Sequence, residues 1–250
     1  GLDKVFITGV SPVVMSDISS GYNVARNISL ISGYHDLCGF HEHEIAEALA
    51  QIGLECDLPE AKVQEALAMM RTFYNGYRFG YGSNDSPLLY NPTLALYFFQ
   101  NYQEECAYPR DILDDNLAMD RNRIEYIARL PHGQELVTKT LDPNEPLLIE
   151  QLAKRFGVQD MLTTTRDQSF LASLMYYLGV LTIADSGDAM GRLTLRIPNL
   201  VIRRLYVERI RDATFPEYED RETARHAAEH FYTSGDLEPL CDFIETRYFQ

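Results

Sequence analysis

The chain has 250 residues, of which 46% are apolar and 24% are charged, and its formal net charge is −15. This composition is typical of a globular protein with one large domain or two ordinary ones, and it lacks the compositional bias of disordered chains. The negative charge argues against a general nucleic-acid coat or a binder of anionic membranes, because both need a positive field over the surface, although it does not bear on a local basic face.

Two further features concern the compartment. No stretch approaches the roughly 18 consecutive apolar residues of a membrane span, and the N-terminus lacks the pattern of a signal peptide. The four cysteines lie far apart and form no CxxC pair: Cys38, Cys56, Cys106 and Cys241. The sequence therefore predicts a cytoplasmic protein with reduced, mostly buried thiols.

The first predicted element is a buried strand, "KVFITGV", at residues 4–10. It is rich in β-branched and aromatic residues, and an ordered loop is predicted after it. Ligands of parallel sheets bind at the carboxyl ends of strands, where Thr8 and Gly9 would lie. Two interpretations stay open here: the phosphate-sensing end of an ATPase strand, or a strand-ending turn without a ligand.

Three helices are predicted next. Apolar residues at helical spacing indicate one helix over residues 41–54 and a second that begins after Pro59 and breaks at the turn dipeptide Asn75-Gly76. The third begins with Asn91 as its N-cap and Pro92 in its first turn.

In the second half of the chain, the sequence predicts a polar connection that becomes helical, followed by two amphipathic segments that we interpret as helices. A β-hairpin around an Asp/Gly turn and further helices are predicted after them. Helix, helix and hairpin in that order are expected of a winged helix. The final stretch is predicted to be helical with a break at Ser234-Gly235. The corresponding ranges are 110–130, 146–156, 167–181, 180–199, 200–212 and 221–250.

Both ends of the chain lack the signals that complete an element. The first strand has nothing before it with which to pair, and the last helix stops at Phe249-Gln250 without a capping signal. We therefore expect this chain to be an internal piece of a longer protein.

Two short patterns suggest metal binding. "HAAEH", from His226 to His230, matches a zinc-peptidase pattern, but zinc also needs a third ligand and a general base, and only 20 residues follow. "HEHE", from His41 to Glu44, lies at a predicted helix start, where acidic side chains complement the helix dipole. We interpret both patterns as helix surface features without a metal.

A phosphate cradle of the form GxxxxGK[ST] or GxGxxG is missing from the sequence. Gly76, Gly80 and Gly82 have the wrong spacing, and no GxSxG nucleophile context occurs. The sequence therefore assigns no catalytic residue to this chain.

Basic residues are concentrated between residues 146 and 211. Nine basic and six acidic residues give this region a net charge of +3, while the rest of the chain carries −18. A winged helix with a basic face can contact nucleic-acid phosphates, which makes Arg203 and Arg204 candidate contacts. The alternative is a structural winged helix that packs on an ATPase core, with its arginines solvated or paired.

Five stretches in order resemble the bacterial AAA-ATPase-like family: "VFITGVSPVVMSDISSGYNVARNISL", "YNGYRF", "YNPTLALYFF", "LMYYLGVLTI" and "RIPNLVIRRLYVERI". Members of this family join a P-loop ATPase domain to a C-terminal PD-(D/E)XK nuclease-like domain. The family-motif residues are Ser20, Gly21, Asn23, Asn75, Gly76, Tyr77, Asn91 and Pro92.

The resemblance implies that "KVFITGV" is the strand after the Walker B strand, with Thr8 at the sensor position. ATP and magnesium would then bind in the full-length protein through residues upstream, and the nuclease-like domain would follow Gln250. This chain alone would neither hydrolyse ATP nor cleave DNA, and it would couple nucleotide state to the downstream domain. The competing interpretation is a non-enzymatic winged-helix module that binds nucleic acid or acts as an adaptor.

The expected fold is mainly α (α+β). Four parts are expected in chain order: the end of a P-loop ATPase core, a helical subdomain, a winged helix and a helical connector. Their bounds are 1–34, 35–140, 141–211 and 212–250.

Overall fold

A computed structural model describes most of the chain, and the architecture is mainly helical with two small antiparallel sheets. This agrees with the predicted mainly α (α+β) class. By its internal contacts the chain divides into two compact units, residues 1–206 and 207–250. No helix in the described part is long and apolar enough to cross a membrane. The described residues are 28–81, 86–109, 118–142, 146–153, 156, 167–185, 192–214 and 217–248.

A layer of three helices follows a short 3-10 turn at Ser32–Tyr34. They are α1 (Glu42–Glu55), α2 (Glu60–Phe73) and α3 (Pro92–Glu105). α1 packs against both α2 and α3, and the apolar faces predicted from the helical spacing supply the core. The fully buried side chains of this layer include Ile45, Leu49, Met70, Leu94 and Phe98.

The starts of α1 and α3 follow the predicted capping chemistry. The Asn91 side chain accepts a hydrogen bond from the Thr93 N–H at 2.9 Å, and Pro92 is the first helical residue. At α1, the Glu44 carboxylate accepts from the His41 N–H at 2.7 Å, which satisfies one of the donors that every helix start leaves open. The helix-start interpretation of "HEHE" is therefore confirmed for Glu44.

The prediction of reduced, mostly buried thiols is wrong: two of the four cysteines are oxidised and none of them is buried. Cys56 and Cys106 follow the C-terminal ends of α1 and α3, and they form a disulfide with their Cα atoms 5.6 Å apart. Cys38 and Cys241 are free but exposed, not buried. The pairing depends on the convergence of two helix ends, and residues 50 positions apart give no local signal of that.

The rest of the first unit combines helices with a three-stranded sheet. The elements are α4 (Ala118–Ala128), α5 (Gly133–Leu141), β3 (Leu147–Ile149), α6 (Gln168–Tyr177), β4 (Thr182–Asp185) and β5 (Leu193–Arg196). In the sheet β5 is central and the order is β3–β5–β4. The predicted hairpin is confirmed, since β4 and β5 pair antiparallel.

The start of the segment predicted to be an amphipathic helix over 146–156 is in fact strand β3. Leu147 and Ile149 are buried, whereas Leu148 is 43% exposed, a period of two. β3 pairs with β5, with Leu147 opposite Leu195. A run of three apolar residues has no period of its own, and the open edge of the hairpin decides its conformation.

Helix α6 lies inside the core. Its six residues from Leu171 to Tyr176 are all buried, and its start is capped by Asp167, which accepts from the Phe170 N–H at 2.7 Å. A helix buried over six consecutive residues has no broad exposed face.

Three more helices complete the described chain: α7 (Leu200–Thr214), α8 (Tyr218–Ser234) and α9 (Glu238–Tyr248). α8 and α9 pack against each other. The predicted break at Ser234-Gly235 is confirmed, because Gly235 has a φ of 76° and its N–H donates to the Phe231 carbonyl at 2.8 Å.

Candidate functional site: a buried joint at residues 74–79

The "YNGYRF" stretch lies between the three-helix layer and the sheet that contains β4 and β5. We call residues 74–79 and their partners the 74–79 joint. It contains strand β1 (Asn75–Tyr77), which pairs antiparallel with β2 (Leu89–Tyr90). Tyr74 and Tyr77 are buried, and Arg78 is only 5% exposed. A nearly buried arginine needs specific partners, since burying a charge without them is costly.

Gly76 makes the closest approach in the joint. It has a φ of 132°, and a Cβ at this position would lie 1.9 Å from the carbonyl oxygen of Pro198. Only glycine accommodates both this conformation and this contact. The Asn75 side chain accepts from the Gly76 N–H at 2.7 Å. The predicted break of the helix at Asn75-Gly76 is correct in position, but the dipeptide begins strand β1 and does not form a turn.

Asn199 links the joint to the start of α7. Its side-chain amide donates to the Tyr74 carbonyl at 3.1 Å, while its side-chain oxygen accepts from the Ile202 N–H at 3.0 Å. One residue therefore caps a helix and satisfies a carbonyl that lies 125 positions earlier in the chain.

Two tyrosine hydroxyls bond to the turn between α6 and β4. Tyr77 donates to the Gly179 carbonyl at 3.1 Å, and Tyr206 donates to the Val180 carbonyl, also at 3.1 Å. Burial, and next the neighbouring Tyr77, raises the pKa of Tyr206 well above its ordinary value. Tyr206 therefore stays protonated and remains a donor throughout the physiological pH range.

Arg78 binds strand β4 through its main chain and its side chain. Its N–H donates to the Thr182 hydroxyl at 2.7 Å, and that hydroxyl donates to the Arg78 carbonyl at 3.1 Å. Nη1 of Arg78 donates to the Ala184 carbonyl at 2.7 Å. The pairing of β4 with β5 shifts register between Ile183 and Asp185. This irregularity takes Ala184 out of the regular ladder and leaves its carbonyl available to the guanidinium.

On the other side of the joint, Tyr90 in β2 pairs with Phe40 through two main-chain hydrogen bonds of 2.9 and 3.1 Å. Burial, followed by the charge of Glu42, raises the pKa of Tyr90 to about 12. Glu42 itself pairs with Arg71 at 2.7 and 3.0 Å, and this hydrogen bonding lowers its pKa. The contacts of Tyr90 with Phe40 and Glu42 thus connect the start of α1 to strand β2 of the joint.

The candidate nucleic-acid contacts lie on α7. Nη2 of Arg203 donates to the Leu141 carbonyl at the C-terminal end of α5, at 3.2 Å, where a cation complements the helix dipole. Arg204 is exposed.

Among the predicted motif residues, the structure brings only Asn75, Gly76 and Tyr77 directly into the joint, while Asn91 and Pro92 start α3 beside it. The other predicted positions lie outside the described residues: Thr8, Gly9, Ser20, Gly21 and Asn23.

The "HAAEH" histidines lie next to carboxylates. His226 lies 3.8 Å from Glu222 and 3.8 Å from Glu229, and His230 lies 3.3 Å from Asp236. Within the described part of the chain, no group of three or more His, Cys, Asp or Glu side chains is arranged to hold a metal ion.

Sequence reasoning missed the partners of the joint: Gly179, Thr182, Ala184 and Asn199. Asn199 carried a signal, because it follows a proline and precedes an amphipathic helix, as an N-cap does. The others contribute main-chain carbonyls or one hydroxyl, which leave no pattern in a sequence. The hydrogen bonds of the joint link main chain to side chain across more than 100 positions, so the site holds two parts of the chain together.

No protein-family model, curated protein or solved structure matches the chain.

Proposed function

We propose that this chain is a non-catalytic relay, the C-terminal part of an AAA-ATPase-like module that couples nucleotide state to a downstream nuclease-like domain. The observation that carries the proposal is the 74–79 joint. Its hydrogen bonds link the helical layer to strand β4 and the start of α7, and in this proposal they are the contacts through which a displacement of one part reaches the other.

The proposal assigns residues 141–211 to a winged helix. Three features support it: the order β3–β5–β4, the antiparallel pairing, and the helix α6 before the hairpin. It also assigns residues 1–34 to the end of a P-loop core and the protein to the cytoplasm. Its partners would be the upstream ATPase core and the downstream nuclease-like domain of the same polypeptide.

ATP and magnesium belong to the full-length protein in this proposal. The sequence has no phosphate cradle, and the residues of the joint bond to main-chain groups of the same chain. We therefore assign no step of nucleotide chemistry to this chain, and Thr8 stays a proposed sensor whose replacement by alanine should alter ATP affinity or turnover.

The first test is Mg-ATP binding, by calorimetry, to this chain and to a version extended upstream. Binding by the extended form alone supports a divided ATPase, and binding by neither form contradicts it. The second test uses hydrogen exchange of the full-length protein. Mg-ATP should change protection within residues 179–199 in the wild type and not in Arg78→Met, whereas Arg129→Gln, an exposed control, should behave like the wild type. Equal responses in all three proteins would contradict the relay.

A winged-helix nucleic-acid adaptor is the competing proposal, and the net charge of +3 over residues 146–211 favours it. Two observations count against it. Helix α6 is buried, so it does not present a surface to nucleic acid, and Arg203 donates a hydrogen bond to the Leu141 carbonyl at the end of α5. Salt-sensitive binding of duplex DNA that weakens in an Arg203→Gln, Arg204→Gln double variant would favour the adaptor.

A further inference from the structure

Two arginines approach the same residue of the hairpin. Thr182 in β4 is the direct cross-strand partner of Arg196 in β5. The Thr182 hydroxyl also exchanges hydrogen bonds with the main chain of Arg78 at 2.7 and 3.1 Å. Arg78 and Arg196 therefore flank one side chain from two directions.

Arg196 and the Thr182 hydroxyl that contacts Arg78 lie on the same face of the sheet. The neighbouring cross-strand pair, Ile183 and Leu195, is buried in the core. Side chains alternate between the two faces of a strand, so Thr182 and Arg196 belong to the opposite face. On this face the Thr182 hydroxyl contacts the main chain of Arg78, and the Arg78 guanidinium donates to the Ala184 carbonyl two residues further along β4.

Arg196 forms no ion pair within the described part of the chain, and the acidic residue of this strand pair, Asp185, lies opposite Thr194. As a whole residue Arg196 is exposed, and its side chain forms no hydrogen bond or ion pair with a residue that the structure describes. Desolvation, and next the positive charge of Arg78, lowers the pKa of Arg196. A solvent-accessible guanidinium beside a second positive charge is an arrangement that an anion stabilises.

We propose that Arg196, backed by Arg78, binds a phosphate-type oxyanion at the open face of the β4–β5 hairpin. A guanidinium presents paired N–H donors that match the oxygens of a phosphoryl group, and two nearby positive charges suit a dianion. This site goes beyond the relay proposed above and does not depend on it, because it requires only the hairpin and the joint.

The test is the thermal stability of the whole chain in increasing inorganic phosphate, with sodium chloride adjusted to constant ionic strength. The wild type should show a saturable rise, about 3–5 °C when phosphate reaches ten times its Kd. Glycerol phosphate in a parallel titration distinguishes the free ion from a phosphate ester, and a response to either one supports the site.

Three variants make the test specific. Arg196→Gln removes the guanidinium and should weaken phosphate binding at least tenfold, since charge-assisted bonds are lost. Arg196→Lys keeps the charge without the paired donors, so its affinity for phosphate should lie between those of the wild type and Arg196→Gln. Arg129→Gln is the matched control, because Arg129 is an exposed arginine whose partner is Glu125, and it should bind phosphate like the wild type.

Phosphate also stabilises proteins in general by its exclusion from their surface, and that effect is the same in all four proteins. An equal rise in wild type and Arg196→Gln would therefore overturn the site, and so would an unresponsive wild type. Circular dichroism of each variant without phosphate verifies that a lost response does not reflect a lost fold.

Discussion

Residues 28–206 and residues 207–248 are stabilised by different kinds of interaction. In the first unit, large apolar side chains and long-range polar contacts are buried together, as in the 74–79 joint. In the second unit, Ala227 is the one buried residue among those described, while Tyr218 and Tyr232 are 68% and 91% exposed. Its ion pairs lie mostly within one helical turn, such as Arg225 with Glu222 and Glu229.

This difference has a physical consequence. In a packed unit, contacts between residues more than 100 positions apart break in one cooperative unfolding transition. A substitution at one such contact should therefore lower the free energy of unfolding of the whole unit. Helices with local ion pairs and little burial depend on weak, salt-screened interactions. Substitutions in the two units should therefore differ in size and in their response to salt.

The largest effect is expected from Gly76→Ala. The new methyl group would lie 1.9 Å from the Pro198 oxygen at a φ of 132°, so the first unit must distort. We expect a loss of about 4–5 kcal/mol in its free energy of unfolding, measured by urea denaturation. Gly33→Ala is the control, because nothing lies within 4 Å of its added Cβ. A loss below about 1 kcal/mol for Gly76→Ala would contradict the close packing of Gly76 against Pro198.

The next largest effect is expected from removal of the disulfide. Cys56 and Cys106 are 50 positions apart, and releasing a loop of that length should lower the stability of the first unit by about 3–4 kcal/mol. The measurement compares urea denaturation of the oxidised wild type with the Cys56→Ser, Cys106→Ser variant. Cys38→Ser and Cys241→Ser should leave stability unchanged, because both residues are free and exposed.

Asn199→Ala should cost about 2–3 kcal/mol, since it removes the cap of α7 and leaves the Tyr74 carbonyl without its donor. Asn199→Asp keeps the oxygen that accepts from Ile202 and loses the donor to Tyr74, so its cost should be smaller. Equal costs for the two variants would mean that the cap to Ile202 contributes nothing, and an Asn199→Asp variant as stable as the wild type would mean that the bond to Tyr74 contributes nothing. Equilibrium unfolding followed by circular dichroism measures both.

The smallest effect is expected in the second unit, from Arg225→Gln. It should lower the melting temperature of that unit by about 1–2 °C at low salt, and by less in 1 M salt. Hydrogen bonding to Arg225 holds the pKa of Glu222 below its ordinary value of 4.5. The pair therefore stabilises the unit above about pH 4.5, and this contribution disappears as the pH falls through the folded-state pKa. If the difference in melting temperature between Arg225→Gln and the wild type were the same in high salt or at low pH, the ion pair would not be its cause.

Local signals predicted the local features. Helical spacing and caps located α1, α2 and α3, Asn91 placed the start of α3, and Gly235 marked the break after α8. These succeed because a helix start or end is decided by residues within one turn of it. The alternation around an Asp/Gly turn likewise revealed the β4–β5 hairpin.

Features set by distant partners were not predictable in the same way. The apolar run at 147–149 becomes a strand because β5 offers it an edge, and the Cys56–Cys106 bond forms because two helix ends converge. The proposed nucleotide-sensing role of Thr8 and the proposed nucleic-acid contacts of Arg203 and Arg204 remain predictions.

The sequence by itself determined where most helices begin and end, because capping and periodicity act within a few residues. It also predicted the end of a helix at Asn75-Gly76, within "YNGYRF". Only the tertiary structure decided what that stretch does: Gly76 must be glycine because Pro198, 122 positions away, presses against it. Arg78 is stable in the interior because Thr182 and Ala184 supply its partners. Contacts of this range arise from packing, and packing is a property of the folded chain alone.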